Sequence, residues 1–483
     1  MKKLKFNNSF AQLGDLFFTR VQANGLPNPK LVSHNGEASK LLGIASDDLS
    51  KDWFLQWASG NQELPGSDPL AMVYSGHQFG GYSPQLGDGR GLLLGEITGP
   101  QGKWDIHLKG AGKTPYYRFG DGRAVLRSTI REYLCSESMH GLGISSTRAL
   151  SITIGDEPVY RETVEPAAML IMLARSHIRF GSFEYFHHSR KHDCVKQLAD
   201  HVMAQHLPEL QNSPNNYLEM FRHTVHSTAR LIAQWQSVGF AHGVMNTDNM
   251  SVIGETMDYG PFGFLDAYNP DFICNHSDTG GRYAFKRQPM IGLWNCNALA
   301  NALTSLLSVD DLTMVLEEYE PLFFTTLLNL QRQKLGLLEK LPNDQVLIDQ
   351  LLTLMAQDQV DHTIFFRTLC YFDENSNNTG LRDLFLNREA FEQWIKRYRK
   401  RLSQEQQNAV DRQATMLETN PKYVLRNYMA EIAIRKAEDK QDYSEIDRML
   451  KLLQSPFEEH PDDEEYAKHP PAWSQQLSIS CSS

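Results

Sequence analysis

The spacing of apolar positions divides the chain into a strand-forming first third and a helix-forming remainder. Gly91-Leu-Leu-Leu-Gly-Glu-Ile97 and Trp104-Asp-Ile-His-Leu-Lys109 predict two short strands, joined into a hairpin through Gly99-Pro-Gln-Gly102. Ala124 to His140 carries Val125, Ile130, Tyr133 and Leu134 with charges between them, which predicts an amphipathic helix ended by Gly141 and Gly143. Arg148–Ile154 and Val159–Thr163 predict strands around a turn at Gly155-Asp-Glu-Pro158. After Glu165 the periodicities become helical, most clearly over Tyr217–Val238 and Ala298–Leu307, with a short β-like stretch from His242 to Asp266. Residues 312–450 predict almost continuous helix, broken at Asp373–Gly380. The pattern as a whole predicts an α+β chain, with a β-rich unit at 61–165, a mainly helical unit at 166–330 and a helical extension at 331–455. Residues 1–60 read as a covering segment. Residues 456–483, acidic and proline-containing, read as an extended tail.

Composition narrows the function classes. The 483 residues are 41% hydrophobic and 22% charged, which is ordinary for a globular chain. A net charge of -11 with no basic stripe argues against a nucleic-acid partner. The longest apolar run, Ala167–Ala174, is far short of the roughly 20 residues a spanning helix needs, so no membrane insertion is expected. Phe6-Asn7-Asn8-Ser9 stands where a secretory signal places its apolar core, and a cytoplasmic location is expected. The six cysteines show no CxxC spacing, so a zinc ribbon is not indicated, and His187, His188, His192 and Cys194 lack finger spacing.

Four groups of residues carry candidate chemistry. In Leu86-Gly-Asp-Gly-Arg-Gly91 the glycines would let backbone amides approach a phosphate or ribose, although a plain hairpin turn uses the same residues. Lys109-Gly-Ala-Gly-Lys-Thr114 is not a P-loop, since position 107 is histidine. Instead, Lys109 at a strand end and Glu132 on the next helix match the way a protein kinase places its phosphate-gripping lysine and the glutamate that orients it; a solvated surface pair has the same spacing. His242-Gly-Val-Met-Asn-Thr-Asp-Asn249, followed by Asp258-Tyr-Gly260, has the length and ends of a kinase catalytic loop and metal-binding triplet. Asn249 and Asp258 fit the metal roles. Val244 occupies the position of the kinase base, which leaves Asp248 as the nearby carboxylate able to act in its place, or as a turn cap. If Arg175 to Arg179 is helical, the two guanidiniums share a face and can clamp a polyphosphate.

On these residues the chain resembles the selenoprotein O family, kinase-fold pseudokinases that act as protein adenylyltransferases. The resemblance runs through Gly87–Arg90, His107–Gly112, Gly120–Arg127, Ser176–Gly181, Gly239–Asn249, Asp258–Asp266, Phe272–Asp278 and Asn420–Asn427. It implies a two-lobed kinase-like fold in which ATP lies reversed, so that AMP and not a phosphoryl group is transferred to Ser, Thr or Tyr hydroxyls of protein substrates, with Mg²⁺ or Mn²⁺. It implies ATP-binding roles for Gly87, Gly89, Arg90, Lys109, Asp121, Gly122, Arg179 and Asp258, and a supporting role for Glu132. It implies metal ligation by Asn249 and Asp258, and Asp248 as base. One position departs: the family carries a phosphate-binding arginine seven residues before Arg179, where this chain has Met172, and a helical Arg175 would cover the same face. Cys481 falls where many animal members carry selenocysteine, and the resemblance implies a redox link between Cys481 and Cys274. Ordinary phosphoryl transfer and a catalytically silent nucleotide-binding scaffold are the competing readings.

Overall fold

In the computed structural model, which describes residues 4–479, residues 4–174 build one large antiparallel sheet, its cover and a separate two-stranded hairpin. Its elements are β1 (Phe18–Arg20), β2 (Lys30–His34), α1 (Gly36–Leu42), α2 (Asp52–Ala58), β3 (Leu70–Met72), a small hairpin of β4 (Gly76–Gln78) and β5 (Gly81–Ser83), the long hairpin of β6 (Gly91–Gly99) and β7 (Gly102–Lys109), β8 (Ala124–Val125), α3 (Leu126–Gly141), β9 (Arg148–Tyr160) and β10 (Val164–Ala174). The strand order is β1-β3-β6-β7-β10-β9-β2, so the first sixty residues supply both edge strands.

Alternation along these strands sends side chains to two apolar layers. Leu92, Leu94, Ile106, Ile171 and Leu173 meet Leu41, Phe54 and Trp57 of α1 and α2. Leu93, Ile152 and Leu170 face the opposite way, onto Ile130, Tyr133 and Leu134 of α3. Burial on both faces explains why Ala167–Ala174 is a continuous apolar run: it lies within a central strand, not the start of helical chain, and run length alone does not separate the two. The expected turn at Gly155–Pro158 is also corrected. β9 continues through it to Tyr160, Pro158 pairs with Pro166, and the chain reverses at residues 161–163.

The remainder is helical. α4 (Phe180–His188), α5 (His192–His206) and α6 (Asn216–Val238) lead to a loop platform, in which only β11 (Phe240–Ala241) and β12 (Gly263–Phe264) pair as strands. α7 (Gln288–Ala302), α8 (Val309–Glu317) and α9 (Tyr319–Lys334) pack beside α6. α10 (Asp344–Asp358), α11 (His362–Leu369), α12 (Thr379–Arg382), α13 (Arg388–Leu402) and α14 (Ala409–Thr419) surround a core of their own at Phe365, Trp394 and Tyr398. Finally α15 (Asn427–Lys440) and α16 (Ser444–Gln454) return to cover α3. Ser33 of β2 donates to Asp447 Oδ1 at 2.7 Å, and Gln454 Nε2 donates to Asn35 Oδ1 at 3.0 Å and Glu137 Oε2 at 3.1 Å, so the last helix is fastened to the first third of the chain.

The acidic tail is docked, not extended, as far as it is described. Tyr466 is buried against α16 and donates to Glu445, Arg448 pairs with Asp463, and Lys422 pairs with Glu459 and Glu464. Its acids are therefore partners for basic side chains elsewhere, which composition alone could not indicate. Among the described residues, no helix is long and apolar enough to cross a membrane.

Candidate active site

A cleft of about 570 Å³ opens between the sheet and the loop platform. Gly87, Gly89 and Arg90 line it on one side with Lys109, and Asp121 and Gly122 come from the loop before β8. Glu132 of α3, Arg179, Asp248, Asn249 and Asp258 complete the lining. Of the residues expected at a nucleotide site, Arg175 alone is elsewhere.

The glycine turn is held against the sheet by Asp88, whose backbone N–H donates to Met72 O and whose carboxylate accepts from Met72 N, each at 3.0 Å. Gly87 has a positive φ of 88°, and a Cβ there would lie 2.7 Å from the Tyr116 ring, so the turn needs glycine for conformation and for space. In the loop before β8, Asp121 receives both Nη atoms of Arg161, at 2.6 and 3.0 Å, and accepts from Arg123 N at 2.9 Å.

Lys109 ends β7, and its Nζ lies 2.5 Å from Glu132 Oε2 and 3.8 Å from Asp258 Oδ1. Glu132 is buried, which pushes its carboxyl up, and Lys109 opposes that shift. Arg179 caps the start of α4. Its guanidinium lies 4.8 Å over the Tyr74 ring, donates to Asp248 O at 2.7 Å and pairs with Asp258 Oδ2. Burial alone would raise the Asp258 carboxyl, but the Arg179 and Lys109 charges hold it well below the usual range. Asp258 has a φ of 58°, a left-handed conformation that a short polar side chain tolerates and that marks functional turns.

Asp248 and Asn249 sit on a 3-10 turn, Thr247–Asn249. Asn249 Nδ2 donates to Val244 O at 3.0 Å, leaving its Oδ1 for a cation. Asp248 accepts from Gln78 Nε2 at 3.0 Å through Oδ2, while its Oδ1 is buried without a partner. Burial lifts its carboxyl to about 6, against the pull of Gln78 and Arg179.

The small β4–β5 hairpin, not singled out in the sequence, grips this turn. His77 N donates to Thr247 Oγ1 at 2.7 Å, and Phe79 N to Asn246 Oδ1 at 3.2 Å and to the Tyr283 hydroxyl at 2.9 Å. The only sequence signal was the polar run His77-Gln78 between glycines. His107 is a second cleft residue that was not anticipated. Its Nε2 lies 3.5 Å from Asp88 Oδ2, and its ring stacks on His177 with centroids 4.8 Å apart.

Arg175 fails its expected role because residues 175–179 are not helical. It follows the end of β10, lies 3.9 Å over the Trp104 ring and donates to Gln101 O at 2.9 Å and Lys103 O at 3.2 Å. Met172 pairs in register with His107, and Leu170 with Lys109, which puts Met172 on the cleft face of the sheet. Cys274 is buried in the loop platform, and Cys481 lies outside the described residues. Among the described residues, no group of three or more His, Cys, Asp and Glu side chains is arranged to hold a metal by itself. Asn249 and Asp258 fit a hard cation of the kind that takes one or two protein oxygens and completes its shell with phosphate and water.

Residues 1–454 match the family model described as protein adenylyltransferase SelO. Two proteins named protein nucleotidyltransferase YdiU, from Myxococcus xanthus (strain DK1622) and Vibrio vulnificus (strain YJ016), are each 51% identical to this chain. The first match covers 100% of this chain and the second 99%, and each covers 99% of the relative. With these matches spanning the elements that build the cleft, the chain belongs to the SelO family of protein adenylyltransferases and is a nucleotidyl-transferring enzyme.

Proposed function

We propose that this enzyme transfers AMP from ATP to serine, threonine or tyrosine hydroxyls of protein substrates, with Mg²⁺ or Mn²⁺, on a kinase-like frame in which the nucleotide lies reversed. One observation carries the reading. The Lys109–Glu132 and Arg179–Asp258 pairs meet in one cleft, with Lys109 3.8 Å from Asp258, while Val244 occupies the position where a phosphoryl-transferring kinase needs a carboxylate.

In this reading the backbone of Gly87, Gly89 and Gly122, with Arg90 and Asp121, cradles the nucleotide, and Lys109 and Arg179 take its phosphates. Asn249 Oδ1 and Asp258 would hold the cation, whose contribution when bound is neutralisation of the triphosphate charge. Asp248, on the same turn, accepts the proton of the acceptor hydroxyl. The hydroxyl oxygen forms a bond to the α-phosphorus, the bond from that phosphorus to the β-phosphate bridge breaks, and pyrophosphate leaves. A buried carboxyl raised to about 6 is a better proton acceptor than one of ordinary acidity.

The same reading makes Cys481 the redox partner of Cys274. His276 N donates to Ile479 O at 2.8 Å, so the last described residue lies beside the loop that carries Cys274. A reducing cytoplasm would keep the two thiols apart.

The test uses the full chain, divalent cation, a protein acceptor and ATP labelled at either the α- or the γ-phosphate. Transfer of the α-label alone is expected. Transfer of the γ-label would establish ordinary phosphorylation in its place.

A further inference from the structure

Helices α7, α8 and α9 enclose a surface groove of about 580 Å³ that the reaction does not use. Met290, Leu293 and Trp294 of α7 and Leu316 of α8 supply apolar lining, and Glu317 and Glu320 supply carboxylates. Met290 is 61% exposed, which is unusual for a large apolar side chain lining a groove with Leu293, Trp294 and Leu316. The two acids are also uncommitted. Glu318 between them pairs with Arg222 and His226, whereas among the described residues Glu317 and Glu320 have no ion-pair partner.

The groove adjoins the β4–β5 hairpin that grips the Asp248 turn. The Trp294 ring meets His77 edge-on at 5.2 Å, and the Arg282 guanidinium lies 4.6 Å over it. His77 holds the catalytic turn through Thr247, and its neighbour Gln78 holds Asp248. Trp294 is therefore separated from the Asp248 turn by this one hairpin.

We infer that the groove docks the segment of the protein substrate that flanks its acceptor hydroxyl, seating an aliphatic or aromatic side chain on Met290, Leu293 and Trp294 and a lysine or arginine beside Glu317 and Glu320. The inference rests on the AMP-transfer reading above and adds to it a recognition chemistry: apolar anchor plus positive charge. Exposed carboxylates favour a basic partner chiefly through encounter and register, and an apolar anchor contributes affinity, so both should appear in the KM for the acceptor and not in that for ATP.

The test uses synthetic acceptor peptides with one serine, a spacer of alanine and glycine, and an anchor of leucine followed by two arginines, by two glutamates, or by nothing. AMP transfer from α-labelled ATP by the full-length enzyme is expected to show at least about a tenfold lower peptide KM for the arginine anchor. Glu317→Lys with Glu320→Lys should reverse the preference toward the glutamate anchor while leaving the KM for ATP, measured with the anchor-free peptide, unchanged. Met290→Asp should raise the KM for both anchored peptides. If transfer occurs but the charge-reversed enzyme keeps the wild-type preference, the groove is not the docking site and the transfer reading stands. If no peptide and no protein acceptor takes the α-label, both fall together.

Discussion

Gln78 donates through Nε2 to Asp248 Oδ2 at 3.0 Å across 170 positions of sequence, and this bond leaves Oδ1 as the unpartnered oxygen of the carboxylate. The amide thus fixes the orientation of the Asp248 carboxylate. Gln78→Leu leaves a buried oxygen unsatisfied, at about 1–3 kcal/mol, and releases the carboxylate from its orientation. Transfer should slow about tenfold to a hundredfold with little change in the KM for ATP. Asp248→Ala should slow it about 10²- to 10⁴-fold, the range for a lost general base. Single-turnover rates beside ATP binding would check both, and lost ATP affinity with normal chemistry would contradict the assignment.

Asp258→Asn keeps the volume and removes the charge that faces Arg179 and Lys109. AMP transfer is expected to be abolished, since stabilising the charge that develops on the phosphates supplies most of the rate enhancement in such chemistry. Lys109→Ala should raise the ATP requirement while leaving Asp258 paired to Arg179. Activity titrated against ATP and against divalent cation separates the two variants.

Arg175 lies on Trp104, away from the cleft, and Met172 faces the cleft opposite His107. Arg175→Ala should therefore leave ATP use unchanged and lower stability by about 1 kcal/mol through the lost cation–π contact. Met172→Arg should lower the KM for ATP by restoring a guanidinium to the phosphate side of the sheet. Enzyme kinetics and thermal melting on the two variants decide the matter, and the reverse result would return Arg175 to the site.

Glu255 accepts from Arg175 N at 3.1 Å, and burial pushes its carboxyl up to about 8. A folded-state value above the unfolded one means that the native protein binds the extra proton. The stabilisation is complete below the unfolded value near 4.5 and is lost as pH rises through about 8. Glu255→Gln should make melting temperature less sensitive to pH across that window and should be most stabilising, relative to the parent, at its alkaline end. Melting curves from pH 5 to pH 9 give the comparison.

Oxidised enzyme is expected to be less active than reduced enzyme, with the difference removed by Cys481→Ser. Peptide mapping of the oxidised form should recover Cys274 and Cys481 in one cross-linked species. A serine variant that keeps its redox sensitivity would exclude this pairing.

Much of the site was legible because its groups occur in short local patterns. The strand-end Lys109, the helix-borne Glu132 and the Asp248-Asn249 turn are each set by a few neighbouring residues. Arg175 misled because four-residue spacing has meaning only on a helix, and Ala167–Ala174 runs straight into it as a buried strand whose composition a helix would share. Gln78 and His77 were illegible for another reason. Their partners Asp248 and Thr247 lie 170 positions away, and only the tertiary packing of the hairpin on the loop platform brings them together. The tail misled by composition, since its acids read as solvated when each side of the charge balance was considered alone.

The fastening of α16 onto α3 and β2 has a consequence for biosynthesis. One face of α3 has no apolar cover until α15 and α16 exist, so the sheet and α3 leave the ribosome as an unfinished structure. At about 5–20 residues per second, the ribosome needs on the order of half a minute to make the chain between the end of β10 and Gln454. During that interval the face of α3 that α15 and α16 will cover stands open beside a sheet rich in long-range pairings, and nascent chains of this protein are a ready client for chaperones that shield apolar surface.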